Sequence, residues 1–358
     1  MHEHTTPLDY LPKPLLHRAA RIENWVQEFR EARALRSGRV PAIISYPGYG
    51  GDGWVRVLCR ILLVKPGQEQ DVLYENVRGW RSFTSIPLNH VDVTVTYNGE
   101  SHTVTADRGG VVDAVVPFSL PAGWNTLQLR VPGSEAVTAE VFVVDPDCKT
   151  GVISDVDDTV MVTLLPRPMV AAWNAFVLDE HARRPVPGMA VLYERIKNAR
   201  PEAPFIYLST GAWNIAPTLT RFLGRNLYPA GPMLLTDWGP THDRFFRSGQ
   251  AHKVENLYRL AREFPQIRWI LIGDDGQHDE QIYEDFASDH PDQVEAIAIR
   301  RLSPQEAVLA GGRKAVSHEN SIPWFWAPNG RGLSHQLETL PHLDLSGEAN
   351  VSGTHTHE

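Results

Sequence analysis

The stretch Gly151-Val-Ile-Ser-Asp-Val-Asp-Asp-Thr-Val160 runs an apolar strand straight into a knot of carboxylates. Residues 151–154, with Val152 and Ile153 between small Gly151 and Ser154, read as a short strand buried in a parallel sheet. Asp155 and Asp157 stand two apart at its end, so both can turn toward one pocket where the backbone curls out of the sheet. Alone, the pair is a moderate signal, because acids also end strands in surface loops and cap helices.

Reading outward from this stretch, the chain after Pro146 alternates strands with helices, which predicts a parallel sheet covered on both faces. Strands are predicted at Gly151–Ser154, Phe205–Ser209 and Trp269–Gly273. Helices are predicted near Ala190–Ala199, Ile215–Leu223, Lys253–Phe264 and Glu280–Ala287. In such sheets ligands bind beyond the carboxyl ends of the strands, and each predicted strand ends in reactive residues. Phe205–Leu208 delivers Ser209, Thr210 and Gly211, which offer hydroxyl and backbone N–H donors to a phosphate oxygen. Lys253 is expected to open a helix after Gly249-Gln-Ala-His252 and to place a point cation beside the phosphoryl group. Trp269–Ile272 releases Gly273-Asp-Asp-Gly-Gln-His-Asp279, a glycine turn bearing three carboxylates. His278 is expected to be a solvated loop residue.

In chain order these are an acid pair, a hydroxyl, a lysine and an acid cluster, and they resemble the four motifs of the haloacid-dehalogenase superfamily of phosphohydrolases. The wording GVISDVDDTV, VPGM with LYERI, YLSTGAWN, HK followed by LYRL, and IGDDGQHD is similar to the catalytic domain of actin-patch-type phosphatidate phosphatases, as are LLTDWG and PWFWAP. The resemblance implies a Rossmann-like parallel sheet with a short cap insertion. It implies a phosphomonoester hydrolase working through an aspartyl phosphate on Asp155. Asp157 would protonate the leaving oxygen and then activate water, with Ser209 and Lys253 binding phosphoryl oxygens. Thr210, Gly211 and Thr159 are the other substrate-side candidates, Thr159 as a brace of the loop more than a contact.

Three carboxylates within a few ångströms repel one another by about 4 kcal/mol per pair at 4 Å and an effective dielectric of 20. A cation must offset this, and oxygen-only ligands select a hard ion, for which Mg2+ is the best candidate. The resemblance implies Asp155, the Asp157 main-chain carbonyl and Asp274 as ligands, with Asp275 or Asp279 in direct or indirect support.

Between Thr159 and Phe205, residues Met169, Val170, Trp173, Phe176 and Val177 fall on one helical face beside Arg183 and Arg184. Such a short cap leaves the pocket open to a large phosphate. These residues and Trp213 either meet acyl chains or pack on the core, and packing is the expectation.

Upstream, residues 1–146 are predicted to form an N-terminal amphipathic helix (Leu15–Leu35) and a smaller antiparallel β-sandwich or barrel. Its strands are Trp54–Val64, Val91–Tyr97, His102–Ala106, Val111–Pro117, Thr126–Val131 and Ala136–Val144, with a tight turn at Asn98-Gly99. The cluster Gly48, Gly50, Gly51 and Gly53 lacks the lysine and hydroxyl residue of a phosphate loop and is expected to be a strained connection between strands. The phosphatase domain is placed at 147–311. Residues 312–358 form a C-terminal extension in which Trp324-Phe325-Trp326 are expected to pack on the domain. The tail from Ser346, with His355 and His357, is expected to be disordered.

A length of 358 residues suits two domains. A net charge of −9 excludes broad attraction to nucleic acid. Two cysteines, Cys59 and Cys148, fit a reducing compartment, and the start of the chain has no secretory pattern. The expected setting is the cytoplasm, with membrane contact peripheral and the partner a phosphorylated lipid or small phosphomonoester. Two non-enzymatic alternatives share some of these features. A receiver domain would carry its acid pair on the first strand and its phosphorylated aspartate later. A lipid-binding scaffold with a dead phosphatase core would have lost reactive positions, and all are present here.

Overall fold

The computed structural model describes residues 29–68, 86–162, 184–236, 242–276, 278–309 and 320–345. Residues 15–28 of the expected first helix, the insertion from Met169 to Arg183, and the tail with His355 and His357 lie outside these. Residues 29–36 are helical (α1).

Eight strands follow: β1 (Val40–Gly51), β2 (Trp54–Val64), β3 (Ile86–Pro87), β4 (Asp92–Tyr97), β5 (Glu100–Thr105), β6 (Val111–Val116), β7 (Gly123–Arg130) and β8 (Val137–Val143). A sandwich or barrel is expected from their alternation, but they form one curled sheet in the order β3-β2-β1-β8-β7-β4-β5, with β6 on the outer edge of β2 beside β3. Every pair is antiparallel except β1 with β8. The turn between β4 and β5 has Asn98 and Gly99 both at positive φ, 46° and 88°, as a two-residue hairpin requires.

The apolar run of β2 is explained by burial on both faces. Val55, Val57, Cys59, Ile61 and Leu63 enter the core inside the curl, while Leu58 and Leu62 join the core of the following α/β region with Ile44, Tyr46 and Tyr49 of β1. Of the expected glycine connection, only Gly53 lies in the turn between β1 and β2, at φ 78°, while Gly48, Gly50 and Gly51 belong to the end of β1, after a bulge between Tyr46 and Tyr49. A Cβ on Gly48 would lie 2.3 Å from the Arg56 carbonyl oxygen, so glycine is needed there for close strand approach.

The second part is a six-stranded, wholly parallel sheet in the order β13-β12-β9-β14-β15-β16. Its strands are β9 (Thr150–Asp155), β12 (Phe205–Ala212), β13 (Met233–Thr236), β14 (Arg268–Asp274), β15 (Val294–Arg300) and β16 (Trp324–Ala327). A short ribbon, β10 (Met161–Val162) with β11 (Arg184–Pro185), follows β9. The helices are α2 (Met189–Ala199), α3 (Ala216–Arg225), α4 (His242–Glu263), α5 (Asp279–Asp289), α6 (Pro304–Leu309) and α7 (Gly330–Leu337).

The chain winds from β9 outward through β12 to β13, then returns to β14 and winds the other way. Right-handed crossovers therefore put helices on both faces, and the crevice at the carboxyl end of β9 is the point where the order reverses. Strands β13, β15 and β16 extend the sheet beyond the three predicted. Trp324, Phe325 and Trp326 prove to be an edge strand paired with β15, so the sheet continues past the expected boundary at 311. Among the described residues no helix is long and apolar enough to cross a membrane.

Candidate active site

Asp155 is the last residue of β9 and Asp274 the last of β14, its neighbour in the sheet. Asp279 is the first residue of α5, where an acid suits the helix dipole. The carboxylates of Asp155, Asp274 and Asp279 are each 0% exposed, and they offer oxygens that all lie within 4.8 Å of one another.

Lys253, 2% exposed, reaches this group from α4. Its Nζ lies 2.6 Å from Asp155 Oδ1 and 2.7 Å from Asp279 Oδ1. The lysine is expected to open its helix, but it sits in the middle of α4. The segment Gly249–His252, expected to precede the helix, is part of it, with Gly249 buried against Thr210.

One ammonium stands against three buried carboxylates, and the electrostatics follow from that count. Burial alone would strip the proton from Lys253, but Asp155 and Asp279 outweigh it and hold the ammonium charged. Burial pushes Asp155 well above the usual carboxylate range; Lys253 opposes this, and Asp279 and Asp157 push it further. Asp274 is likewise raised by burial and then by Asp279, Asp155 and Asp158. Asp274 Oδ1 accepts from Gly276 N at 2.6 Å, whereas its Oδ2 is buried with no hydrogen-bond partner. The cluster is short of positive charge and its donors are all oxygens, so a hard divalent cation fits it.

The loop after β9 turns back at once: Asp158 has φ 55°, and its N–H donates to Met161 O at 2.8 Å. Thr159 Oγ1, wholly buried, donates to Asp155 Oδ2 at 3.3 Å, which makes it a brace of that carboxylate. Asp157, 2% exposed, accepts from Ser209 Oγ at 3.1 Å. Ser209 Oγ in turn accepts from Gly211 N at 3.0 Å. The Ser209 hydroxyl hydrogen is thus directed at Asp157, and the Gly211 N–H at Ser209. Thr210 and Gly211 lend their carbonyls to Thr236 Oγ1 at 3.0 and 3.1 Å, which ties this loop to β13. Asp275 turns away from the cluster and accepts from Leu302 N at 2.8 Å. His278 caps α5 at φ 67°.

Two supports of the site are absent from the sequence-based candidates. Arg300, 4% exposed at the end of β15, donates from Nη1 to Asp158 O at 2.6 Å, while its own carbonyl accepts from Asp275 N at 3.1 Å. It therefore ties the first acidic loop to the last. Tyr193 on α2 meets Ser154 Oγ at 2.6 Å directly beneath Asp155. Reading Val294–Arg300 as a strand would have exposed Arg300 as a reactive group at the same sheet edge. Tyr193 sits within LYERI and has no local signal. Trp213, weighed as a contact for acyl chains, is buried and stacks on Tyr46 of β1 with ring centroids 4.8 Å apart.

Residues 150–301 match the family described as "Phosphatidate phosphatase APP1, catalytic domain". The chain is 27% identical over 265 residues to Phosphatidate phosphatase APP1 of Saccharomyces cerevisiae, covering 70% of this chain and 44% of the yeast protein. An uncharacterised protein of Schizosaccharomyces pombe is 25% identical over 190 residues, covering 53% of this chain and 31% of that one. The chain therefore spans less than half the length of either. A carbohydrate acetylesterase from Xanthomonas citri aligns over 83% of this chain and 75% of its own, but at 10% identity and a TM-score of 0.29 it bears on neither fold nor function.

Proposed function

We propose, from a segment that matches the phosphatidate phosphatase APP1 catalytic domain, that this chain is a phosphoric monoester hydrolase of the haloacid-dehalogenase type acting on phosphatidate or a related lipid phosphate. The observation that carries the chemistry is the convergence of four chain segments on one sheet edge, where three buried carboxylates face one lysine.

In this mechanism a carboxylate oxygen of Asp155 attacks phosphorus, and the bond from phosphorus to the ester oxygen breaks. Asp157 gives its proton to the departing alkoxide, leaving an aspartyl phosphate on Asp155. Water then attacks that phosphorus and loses a proton to Asp157, which releases phosphate and restores both acids. Ser209, bonded to Asp157, orients the acid for both proton transfers. Lys253 neutralises charge on the phosphoryl oxygens, for which positioning and electrostatics supply most of the catalysis. Asp155 and Asp274, with the Asp157 main-chain carbonyl and Asp279 nearby, are the groups to hold Mg2+. When bound, the ion supplies charge neutralisation for the carboxylates and the phosphate together.

A lipid substrate is supported by the family alone, since Trp213 is committed to packing. A cytoplasmic, membrane-peripheral enzyme is part of the same proposal, and the two free buried thiols are in keeping with it. Phosphate release from phosphatidate in Triton mixed micelles is expected to exceed release from p-nitrophenyl phosphate, both in Mg2+. A preference for the soluble ester would remove the lipid assignment and leave the phosphatase. Asp155→Asn is expected to abolish both activities with an unchanged circular dichroism spectrum; retained turnover would rule out the nucleophile.

A further inference from the structure

The helix that delivers Lys253 is held from two sides. Residues 253, 257, 260 and 264, the last just past the end of α4, are spaced as one helical face, and Lys253, Leu257, Leu260 and Phe264 are all buried, Phe264 between Trp269 of β14 and Tyr49 and Trp54 of the curled sheet. His252, Asn256, Arg259 and Glu263 are each one residue back and form a neighbouring stripe about 100° round the axis. That second stripe meets the curled sheet. Arg259 Nη1 lies 2.7 Å from Asp113 Oδ2 of β6, and Asp113 Oδ1 lies 2.6 Å from Arg56 Nη1 of β2. Arg56 also pairs with Glu263, and Tyr49 Oη of β1 donates to Glu263 Oε2 at 2.8 Å. Within the helix Arg259 bonds Asn256 Oδ1, and Asn256 Nδ2 donates to His252 O at 2.8 Å. Three strands of the first sheet thus grip one stripe of α4, and the rotation they impose sets where the adjacent stripe, and so Lys253, points.

We propose that Asp113, with Arg56 and Tyr49, is a positioning residue for Lys253, so that the curled sheet belongs to the catalytic apparatus and is more than an appended module. This rests on the role given to Lys253 above. A second contact agrees: Tyr46 of β1 donates from Oη to Trp213 O at 3.1 Å and stacks on its ring, at the end of the segment that carries Ser209 and Gly211. The first sheet therefore touches both of the elements that face the phosphoryl group across from the acids.

The test uses the full chain with Mg2+, p-nitrophenyl phosphate for turnover and vanadate as the phosphate mimic. Asp113→Asn is expected to lower kcat roughly tenfold and to weaken vanadate binding by a similar factor. KM for the ester should change less than kcat. Asp113→Glu, which keeps a carboxylate facing Arg259 and Arg56, should retain most of the parent's kcat. In a Lys253→Met background Asp113→Asn should leave vanadate affinity where Lys253→Met alone puts it, because two residues acting through one group do not add. If Asp113→Asn does not fold, Tyr49→Phe carries the same comparison with about a threefold loss. Unchanged kcat, or a full further loss of vanadate affinity in the double variant, overturns the proposal and leaves a merely structural ion pair. Full turnover in Lys253→Met removes the premise instead, and the proposal with it.

Discussion

Asp274 is the carboxylate that local structure compensates least. Lys253 pairs with Asp155 and Asp279, while one Asp274 oxygen is buried without a hydrogen bond. Replacing it by Asn removes a like charge from the cluster, so Asp274→Asn is expected to raise the melting temperature of the EDTA-treated protein. The same change removes a ligand, so Mg2+ should stabilise the parent by about 2.7 kcal/mol at a hundredfold excess over Kd and the variant hardly at all. Calorimetry in EDTA and in Mg2+ checks both; a variant that melts lower without metal, or gains as much with it, contradicts the charge count. The residues of this cluster are legible in the sequence because they follow apolar runs at strand ends. Asp113 is not, since it owes its place to a partner more than a hundred residues away in the chain, and Arg300 comes into view only once Val294–Arg300 is read as a strand.

At the scale of elements, β1 and β2 depend on a close approach that only glycine allows. Gly48→Val is expected to cost about 1–3 kcal/mol through overpacking at the bulge, read as a lower urea midpoint with an unchanged slope. A neutral result would mean the strands can separate there without loss. Strands β9, β12 and β14 are readable from the chain because burial on both faces leaves a short apolar run. Strand β16 is not, because Trp-Phe-Trp is only four residues long with Ala327 and looks like a surface cluster. The extent of α4 is obscured for a different reason. Gly249 has breaker character, yet the helix passes through it, and glycine stands there because a Cβ would press on Thr210 Cγ2, 3.0 Å away.

Across the whole molecule, the curled sheet keeps a core of its own and lends residues of its other face to the core of the parallel sheet, and Asp113 lies on the polar flank of that junction. Burial pushes its carboxyl upward, but Arg259 and Arg56 together outweigh this and hold it below the usual carboxylate range; Glu263, Tyr49 and His252 are other ionisable groups of that flank. A depressed acid contributes stability that is fully present above its unfolded pKa and is lost as pH falls through the folded value. Between about pH 5 and pH 3 the melting temperature of the parent should therefore fall more steeply than that of Asp113→Asn. Parallel curves would show that the pair adds nothing to acid sensitivity. The division into strands followed by alternating strands and helices is plain in the sequence. The curl into a single sheet is not, because it depends on β2 accepting partners along both of its edges.

The last strand of the parallel sheet lies beside β15 and is followed by α7, which packs on α2 near the start of the domain. Asp155, Ser209, Lys253 and Asp274 have all been synthesised before this edge exists. Until residues 324–327 are made, β15 is therefore the edge of the sheet, and a ribosome stalled before residue 324 would hold a nascent chain with Ile297–Arg300 open to pairing along one side.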